Sequence, residues 1–347
     1  ALGEPVTEWF GRAMVLVVVA CPCALLMAAP VAIVAAVGNA SRHGGVIRSA
    51  SALEAAGVVD AVGFDKTGTI TRGTLDVVDV SAVNPELADG ALVLALAAAV
   101  EARSEHPVGL AIARAGASPA HLTHGVDQFR AVAGSGVAAV VGGRAVMVGR
   151  PGWLASLGIN VGRIEGDIER YERAGWRAVA VGATLKPGGE VLAIGTIALA
   201  DQIRPEAAEA IEALRGGGIG TVRMISGDAQ SAALSIAGAA GIAPEDVRAG
   251  LMPDGKVAAV RELQSIPGVR AVAMVGDGIN DAPALAVATV GIAMGTGSAA
   301  IARDAADVTI VSDDLRRVPW FLDLAARTRR TIAMNVVLAL GIKLVVL

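Results

Sequence analysis

Asp65-Lys66-Thr67-Gly68-Thr69-Ile70-Thr71 follows an apolar, β-branched run from Val58 to Phe64. Such a run reads as a buried strand with Asp65 at its carboxyl end. In open α/β sheets that end is where ligands bind. A carboxylate flanked there by a lysine, two threonines and a flexible glycine suits a nucleophile that takes a phosphoryl group. An isolated aspartate before a turn is more often a cap. The seven residues together are far more specific.

Downstream the same pattern recurs. Thr221–Ile225 reads as a strand delivering Ser226-Gly227-Asp228, followed by a helix over 229–240 that stops at Gly241. Met252-Pro253-Asp254-Gly255-Lys256 opens another helix, and Val269–Val275 delivers Gly276-Asp277-Gly278-Ile279-Asn280-Asp281. Short strands near Val290–Ala293 and Val308–Val311 complete a parallel sheet in this reading. Polar residues therefore gather at the carboxyl ends of strands. Between Gly73 and about Ile197 the chain leaves this sheet for an inserted α+β domain: a strand over 75–83, a helix over 86–103, then shorter elements. Within it, Ser104-Glu105-His106-Pro107 precedes a helical run over 108–114, and Gly134-Ser135-Gly136-Val137 opens a strand. No G-x-x-x-x-G-K-[ST] occurs, which excludes Walker-type nucleotide binding.

The chain has 347 residues, of which 54% are hydrophobic and 18% charged. Its mean hydropathy is +0.60. That is too apolar for a purely soluble protein. The net charge of −4 and the lack of a basic run speak against a nucleic-acid partner. The two cysteines, Cys21 and Cys23, are too close to staple a fold. The start, Ala1-Leu2-Gly3-Glu4-Pro5, reads as an internal cut.

No charged residue occurs between Arg12 and Arg42, more than the roughly 20 residues that span a bilayer. Arg42, His43 and Arg48 put the far end in the cytoplasm by the positive-inside rule. Within the span, Pro22 frees a backbone carbonyl beside Cys21 and Cys23. Two soft thiolates there suit Cu(I), Zn(II) or Cd(II), and the pair reads equally as two inert buried thiols. A second membrane helix is expected from 328 to 347, through Asn335 and Lys343.

The Asp65 string resembles the phosphorylation loop of P-type ATPases, and the whole chain resembles their heavy-metal-transporting branch. That resemblance implies a haloacid-dehalogenase-like α/β fold, a doubly wound parallel sheet flanked by transmembrane helices. It divides the chain into a membrane segment at 1–48, a phosphorylation domain at 49–72 and 198–318, a nucleotide-binding domain at 73–197, and the start of a membrane helix at 328–347. It implies ATP and Mg²⁺ as cofactors. Asp65 would be phosphorylated, with Lys66, Thr67, Ser226, Gly227, Asp228 and Lys256 around the phosphoryl group, and Asn280 and Asp281 holding the loop and Lys256. Asp65, the carbonyl of Thr67, and Asp277 would hold Mg²⁺. Glu101, His106, Gly134, Gly136 and Gly149 would hold adenine and ribose.

Phosphatases of the same superfamily usually carry a second Asp two residues after the nucleophile, and here that position is Thr67. A phosphatase without transport is thereby disfavoured. The resemblance further implies export through Cys21, Cys23 and Lys343. Asn335 and Lys343, eight residues apart, match the zinc/cadmium/lead branch, with a Cu⁺ exporter as the alternative. Ser226 replaces the family's usual Thr, and Arg48 its usual Lys. There is no Thr-Gly-Glu actuator loop, so an actuator domain and further membrane helices are missing partners, alongside membrane lipid. The implied place is the plasma membrane, with the catalytic domains cytoplasmic.

Overall fold

The computed structural model describes residues 6–20, 23–84, 88–116, 125–186, 188–296 and 299–346, with backbone alone at 16–20, 23–25 and 344–346. The chain opens with α1 (Val6–Ala20), α2 (Cys23–Arg42), β1 (Gly45–Ile47), α3 (Ala50–Ala56) and β2 (Ala61–Asp65). A one-turn loop at Lys66–Ile70 leads into β3 (Thr71–Ala82), α4 (Gly90–Glu101) and α5 (Pro107–Ala115). Then come β4 (Val126–Val132), β5 (Gly136–Val141), β6 (Arg144–Gly149), α6 (Pro151–Ser156), α7 (Glu165–Arg173), β7 (Arg177–Thr184) and β8 (Val191–Ile203). The chain continues through α8 (Ala207–Gly216), β9 (Thr221–Ile225), α9 (Gln230–Ala240), β10 (Val247–Arg248) and α10 (Pro253–Gln264). It closes with β11 (Val272–Gly276), α11 (Ala282–Val287), β12 (Val290–Met294), α12 (Ala300–Ala305), β13 (Val308–Ile310) and α13 (Arg317–Val346).

Two compact units result. The first comprises residues 1–65, 206–223 and 253–347, and the second residues 66–205 and 224–252. The division runs through β9. The larger sheet has the order β1-β13-β12-β11-β2-β9-β10. In the first unit β2, β11 and β12 are buried at every residue, as a parallel sheet covered on both faces requires. Parallel register sets Val275 beside Phe64 and Gly276 beside Ala293, so Asp65 and Asp277 leave the sheet at one edge. The short strand β1 runs antiparallel to β13, an edge that the expectation of a purely parallel sheet omitted.

In the second unit a six-stranded sheet of order β3-β8-β7-β6-β5-β4 is antiparallel throughout. Alternation sorts its residues to two faces. Val146, Val148, Val179 and Val181 pack with Val93, Leu96, Val100 and Ile112 of α4 and α5. Met147 and Ala180 face the other way, against Leu154, Ile159 and Ile164. The α4 helix starts at Gly90 because Asp89 accepts the amide of Leu92 at 2.8 Å, an N-cap.

Among the described residues no helix is long and apolar enough to cross a membrane. The expected first span falls on α1 and α2, between which Cys21 and Pro22 lie outside the described residues. The expected last span belongs to one helix that starts earlier, at Arg317, and whose uncharged run is confined to residues 331–342, between Arg330 and Lys343. That is short of the roughly 20 residues a span needs. These helices nevertheless hold out large apolar side chains: Phe10 on α1, Leu26, Met27, Val31 and Val34 on α2, and Met334, Val337, Leu338 and Ile342 on α13.

Candidate functional site

In the first unit the site is built on the ends of β2 and β11. Asp65 is 4% exposed. Burial, then the neighbouring Asp281 and Asp277, push its carboxyl up to about 7, against the opposing pull of Lys256. The Lys256 ammonium, carried in by the first turns of α10, donates to Asp65 Oδ1 at 2.5 Å and to Asp281 Oδ1 at 2.6 Å. Burial lowers the lysine's pKa, but the two carboxylates outweigh it and leave a fixed ammonium. Asp281 is held in turn, its Oδ2 accepting the Gly278 amide at 3.2 Å. Asn280, expected to share that task, is exposed and bonds to none of them.

Asp65, Asp277 and Asp281 offer carboxylate oxygens within 4.8 Å of one another. Hard oxygens crowded enough to raise a neighbour's pKa suit a small divalent cation, so the residues fit Mg²⁺.

In the second unit the Lys66–Ile70 loop is tied down at several points. Gly68 takes a positive φ of 77°, which a glycine adopts without strain. Arg204 is 8% exposed and donates to the carbonyls of Thr69 (2.8 Å) and Gly68 (2.9 Å). The Thr71 hydroxyl bonds to the carbonyl of Lys66 and to Asp201. Burial pushes the carboxyl of Asp201 up. The Lys66 ammonium sits 2.7 Å from Asp228 Oδ2, and Thr67 Oγ1 donates to the same oxygen at 3.3 Å. Burial raises the Asp228 carboxyl, but Lys66, Thr67 and Arg177 outweigh it and hold the carboxyl below its usual value. Ser226, 1% exposed, accepts the Asp228 amide at 3.1 Å. Gly227 links the two. Asp201 and Arg204 went unassigned in the sequence reading; the signal was an Asp-x-x-Arg spacing at the chain's return to the first sheet.

The proposed adenine residues lie in the same unit. Glu101 ends α4, is 5% exposed, and has Oε2 without a hydrogen-bond partner. Burial raises its pKa, with the Ser104 hydroxyl opposing. His106 is exposed and caps α5 through Nδ1, which accepts the amide of Val108 at 3.2 Å. Gly134 faces open space, whereas Gly136 and Gly149 pair across β5 and β6 beneath Trp153. A Cβ on Gly136 would lie 2.3 Å from the Val148 carbonyl oxygen, so close packing alone requires that glycine. Of the expected transport residues, Cys21 lies outside the described residues, the side chain of Cys23 likewise, and Lys343 lies near the end of α13.

A buried aspartate at a parallel-strand end, paired with lysine and ringed by acids, defines a class that comparison names: residues 59–289 match the haloacid dehalogenase-like hydrolase family. The chain belongs to that family. Its homologues within it are metal-transporting P-type ATPases. It is 36% identical over 98% of its length to a probable cadmium-transporting ATPase of Alkalihalophilus pseudofirmus, covering 46% of that protein. It is 42% identical over 95% of its length to a copper-exporting P-type ATPase of Mycobacterium tuberculosis, covering 41% of it. A zinc-transporting PIB-type ATPase in its E2.Pi state superposes with a TM-score of 0.85 at 35% identity, over 99% of this chain and 53% of that one. The chain thus spans about half the length of the relatives it matches.

Proposed function

We propose that this chain is the catalytic part of an ATP-driven exporter of soft divalent metal ions, Zn²⁺, Cd²⁺ or Pb²⁺, working through an aspartyl phosphate at Asp65. The observation that carries this reading is the buried Asp65–Lys256–Asp281 group at the end of β2. A carboxylate oxygen of Asp65 attacks the γ-phosphorus of ATP, the bond to the β-γ bridging oxygen breaks, and ADP leaves. Lys256 stays charged throughout and neutralises phosphoryl oxygens, the main demand of such a transfer. Mg²⁺ held by Asp65 and Asp277 supplies further positive charge where negative charge spreads. Lys66, Thr67, Ser226, Gly227 and Asp228 carry the roles their motifs imply, and Glu101, His106, Gly134, Gly136 and Gly149 hold the nucleoside.

Transport through Cys21, Cys23 and Lys343, in a plasma membrane, is supported by the apolar side chains exposed on α1, α2 and α13. An actuator domain and further membrane helices would complete the pump. A Cu⁺ exporter is the second reading, favoured by the 42% identity to the copper-exporting relative. Labelling with γ-³²P-ATP and Mg²⁺ tests the proposal. It should give an acid-stable, hydroxylamine-sensitive phosphoprotein, lost in Asp65→Asn; label retained by that variant would refute it.

A further inference from the structure

The link between α2, which begins at Cys23, and β2, which ends at Asp65, starts at His43. Helix α2 stops at Arg42, and its last carbonyls need partners from beyond the helix. The backbone amides of His43 and Gly44 serve two of them, donating to Ala40 at 3.0 Å and to Ser41 at 3.1 Å. A third, that of Asn39, lies 2.9 Å from His43 Nδ1. A carbonyl only accepts, so Nδ1 carries the hydrogen and donates it. The same imidazole lies against the indole of Trp320, in the first turn of α13, with ring centroids 4.5 Å apart and planes tilted by 37°. One exposed side chain thus holds the end of α2 with its edge and a second helix with its face. The residues that follow fasten this joint to the sheet. Gly44 takes a φ of 79°, its carbonyl accepts the amide of Val311 at 2.8 Å, and β1 then pairs with β13. That is the sheet whose β2 carries Asp65. The β1–β13 pairing is made by backbone; the imidazole and the indole are side-chain choices, and neither belongs to a motif of the catalytic site.

We propose that His43 is a positioning residue of the export cycle, the joint through which a change at α2 passes to α13 and to the catalytic sheet. The assignment rests on the export reading above and adds to it a pair of residues outside its sites. The Nδ1 bond keeps the ring on the end of α2. Any shift of α2 against α13 must therefore part the imidazole from the indole or carry Trp320 with it, and stacked rings at this separation attract.

The test uses the full-length protein and the ratio of metal-stimulated to metal-free ATP hydrolysis, with Zn²⁺, Cd²⁺ and Cu⁺ as probes. His43→Ala should lower that ratio about fivefold, the lower end of ordinary coupling between sites. KM for ATP should hold, because His43 and the proposed nucleotide residues belong to different units. His43→Phe, which keeps the stack, should restore most of the ratio, and His43→Gln, which keeps a donor for Asn39, less of it. Trp320→Ala should match His43→Ala, and the double variant should be no worse than either alone, as residues that act as one unit require. An unchanged ratio in both alanine variants, additive losses in the double variant, or metal-free hydrolysis falling in step with the stimulated rate would overturn the assignment while leaving the export reading standing. A wild-type protein that none of the three metals stimulates would overturn both.

Discussion

Asp65 carries opposing demands. As the proposed nucleophile it must be ionised, yet burial beside Asp281 and Asp277 pushes its carboxyl up to about 7. The folded chain therefore binds a proton that the unfolded chain releases near the ordinary carboxyl value of 3.8. With more protons bound in the folded state, the stability from this group is full below that unfolded value and is lost as pH rises through about 7. A divalent cation reverses the penalty because it binds the ionised form. Mg²⁺ should raise the melting temperature clearly at about pH 7.5 and little at about pH 5.5, where protons compete for the same oxygens. Calorimetric scans with and without Mg²⁺ at both pH values check this, and an equal rise at both would contradict it. Lys256→Met should be costly, since it strands two buried carboxylates, and losses of about 3–5 kcal/mol accompany such broken pairs. Urea titration should show that deficit shrinking at acid pH, where the carboxylates take protons.

At the scale of elements, the inserted sheet and its helices hold a charge against the interests of stability. Glu101 lies at the end of α4 with one carboxylate oxygen unpartnered, and burial raises its pKa. A raised folded pKa means that stability is lost as pH climbs above the unfolded value, so at neutral pH the ionised form is a cost. Glu101→Gln should therefore raise the melting temperature at neutral pH, with the gain vanishing at acid pH. The same variant should weaken nucleotide binding if Glu101 holds adenine, a trade of stability for function that titration with ATP would reveal. Arg204→Ala should loosen the Lys66–Ile70 loop, at a cost of roughly 1.5–3 kcal/mol for a hydrogen-bonded charge. Phosphorylation of Asp65 should slow in that variant while ATP affinity holds.

The elements that the sequence announced were those whose physics is local. Ala61–Asp65 and Val272–Gly276 are short apolar runs ended by acid or glycine, Thr221–Ile225 runs into Ser226-Gly227-Asp228, and strands read that way. β1 escaped because three residues carry no period, and its pairing with β13 is set by a distant part of the chain. Asp281, not Asn280, holds Lys256 because the turn at Gly278 directs one side chain inward and the other out, which composition cannot show. The packing of Gly136 and Gly149 beneath Trp153 was equally hidden.

At the scale of the whole molecule the proposed export turns on the cargo, and charge decides how to measure it. Relatives of this chain include proteins named for cadmium and for copper, at 36% and 42% identity. In the export reading, two thiolates and a carbonyl freed by proline would bind either a monovalent or a divalent soft ion, so Cys21 and Cys23 would not discriminate. Lys343 would. An ammonium near a membrane site is expensive to keep and acts by repelling cations, the more strongly the higher their charge. A divalent ion bound by two thiolates leaves the site neutral, and a nearby ammonium then helps expel it. A cuprous ion on the same thiolates leaves a net negative site, which the ammonium would instead retain. In the full-length protein, Zn²⁺, Cd²⁺ and Pb²⁺ should therefore stimulate ATP hydrolysis, with proton release on metal uptake as the thiols ionise. Cys21→Ser with Cys23→Ser should abolish the stimulation and leave nucleotide binding intact. Lys343→Ala should keep metal binding, slow turnover with the divalent ions and narrow their advantage over Cu⁺. Stimulation by Cu⁺ alone, or full Zn²⁺ stimulation without the two thiols, would assign the cargo or the site elsewhere.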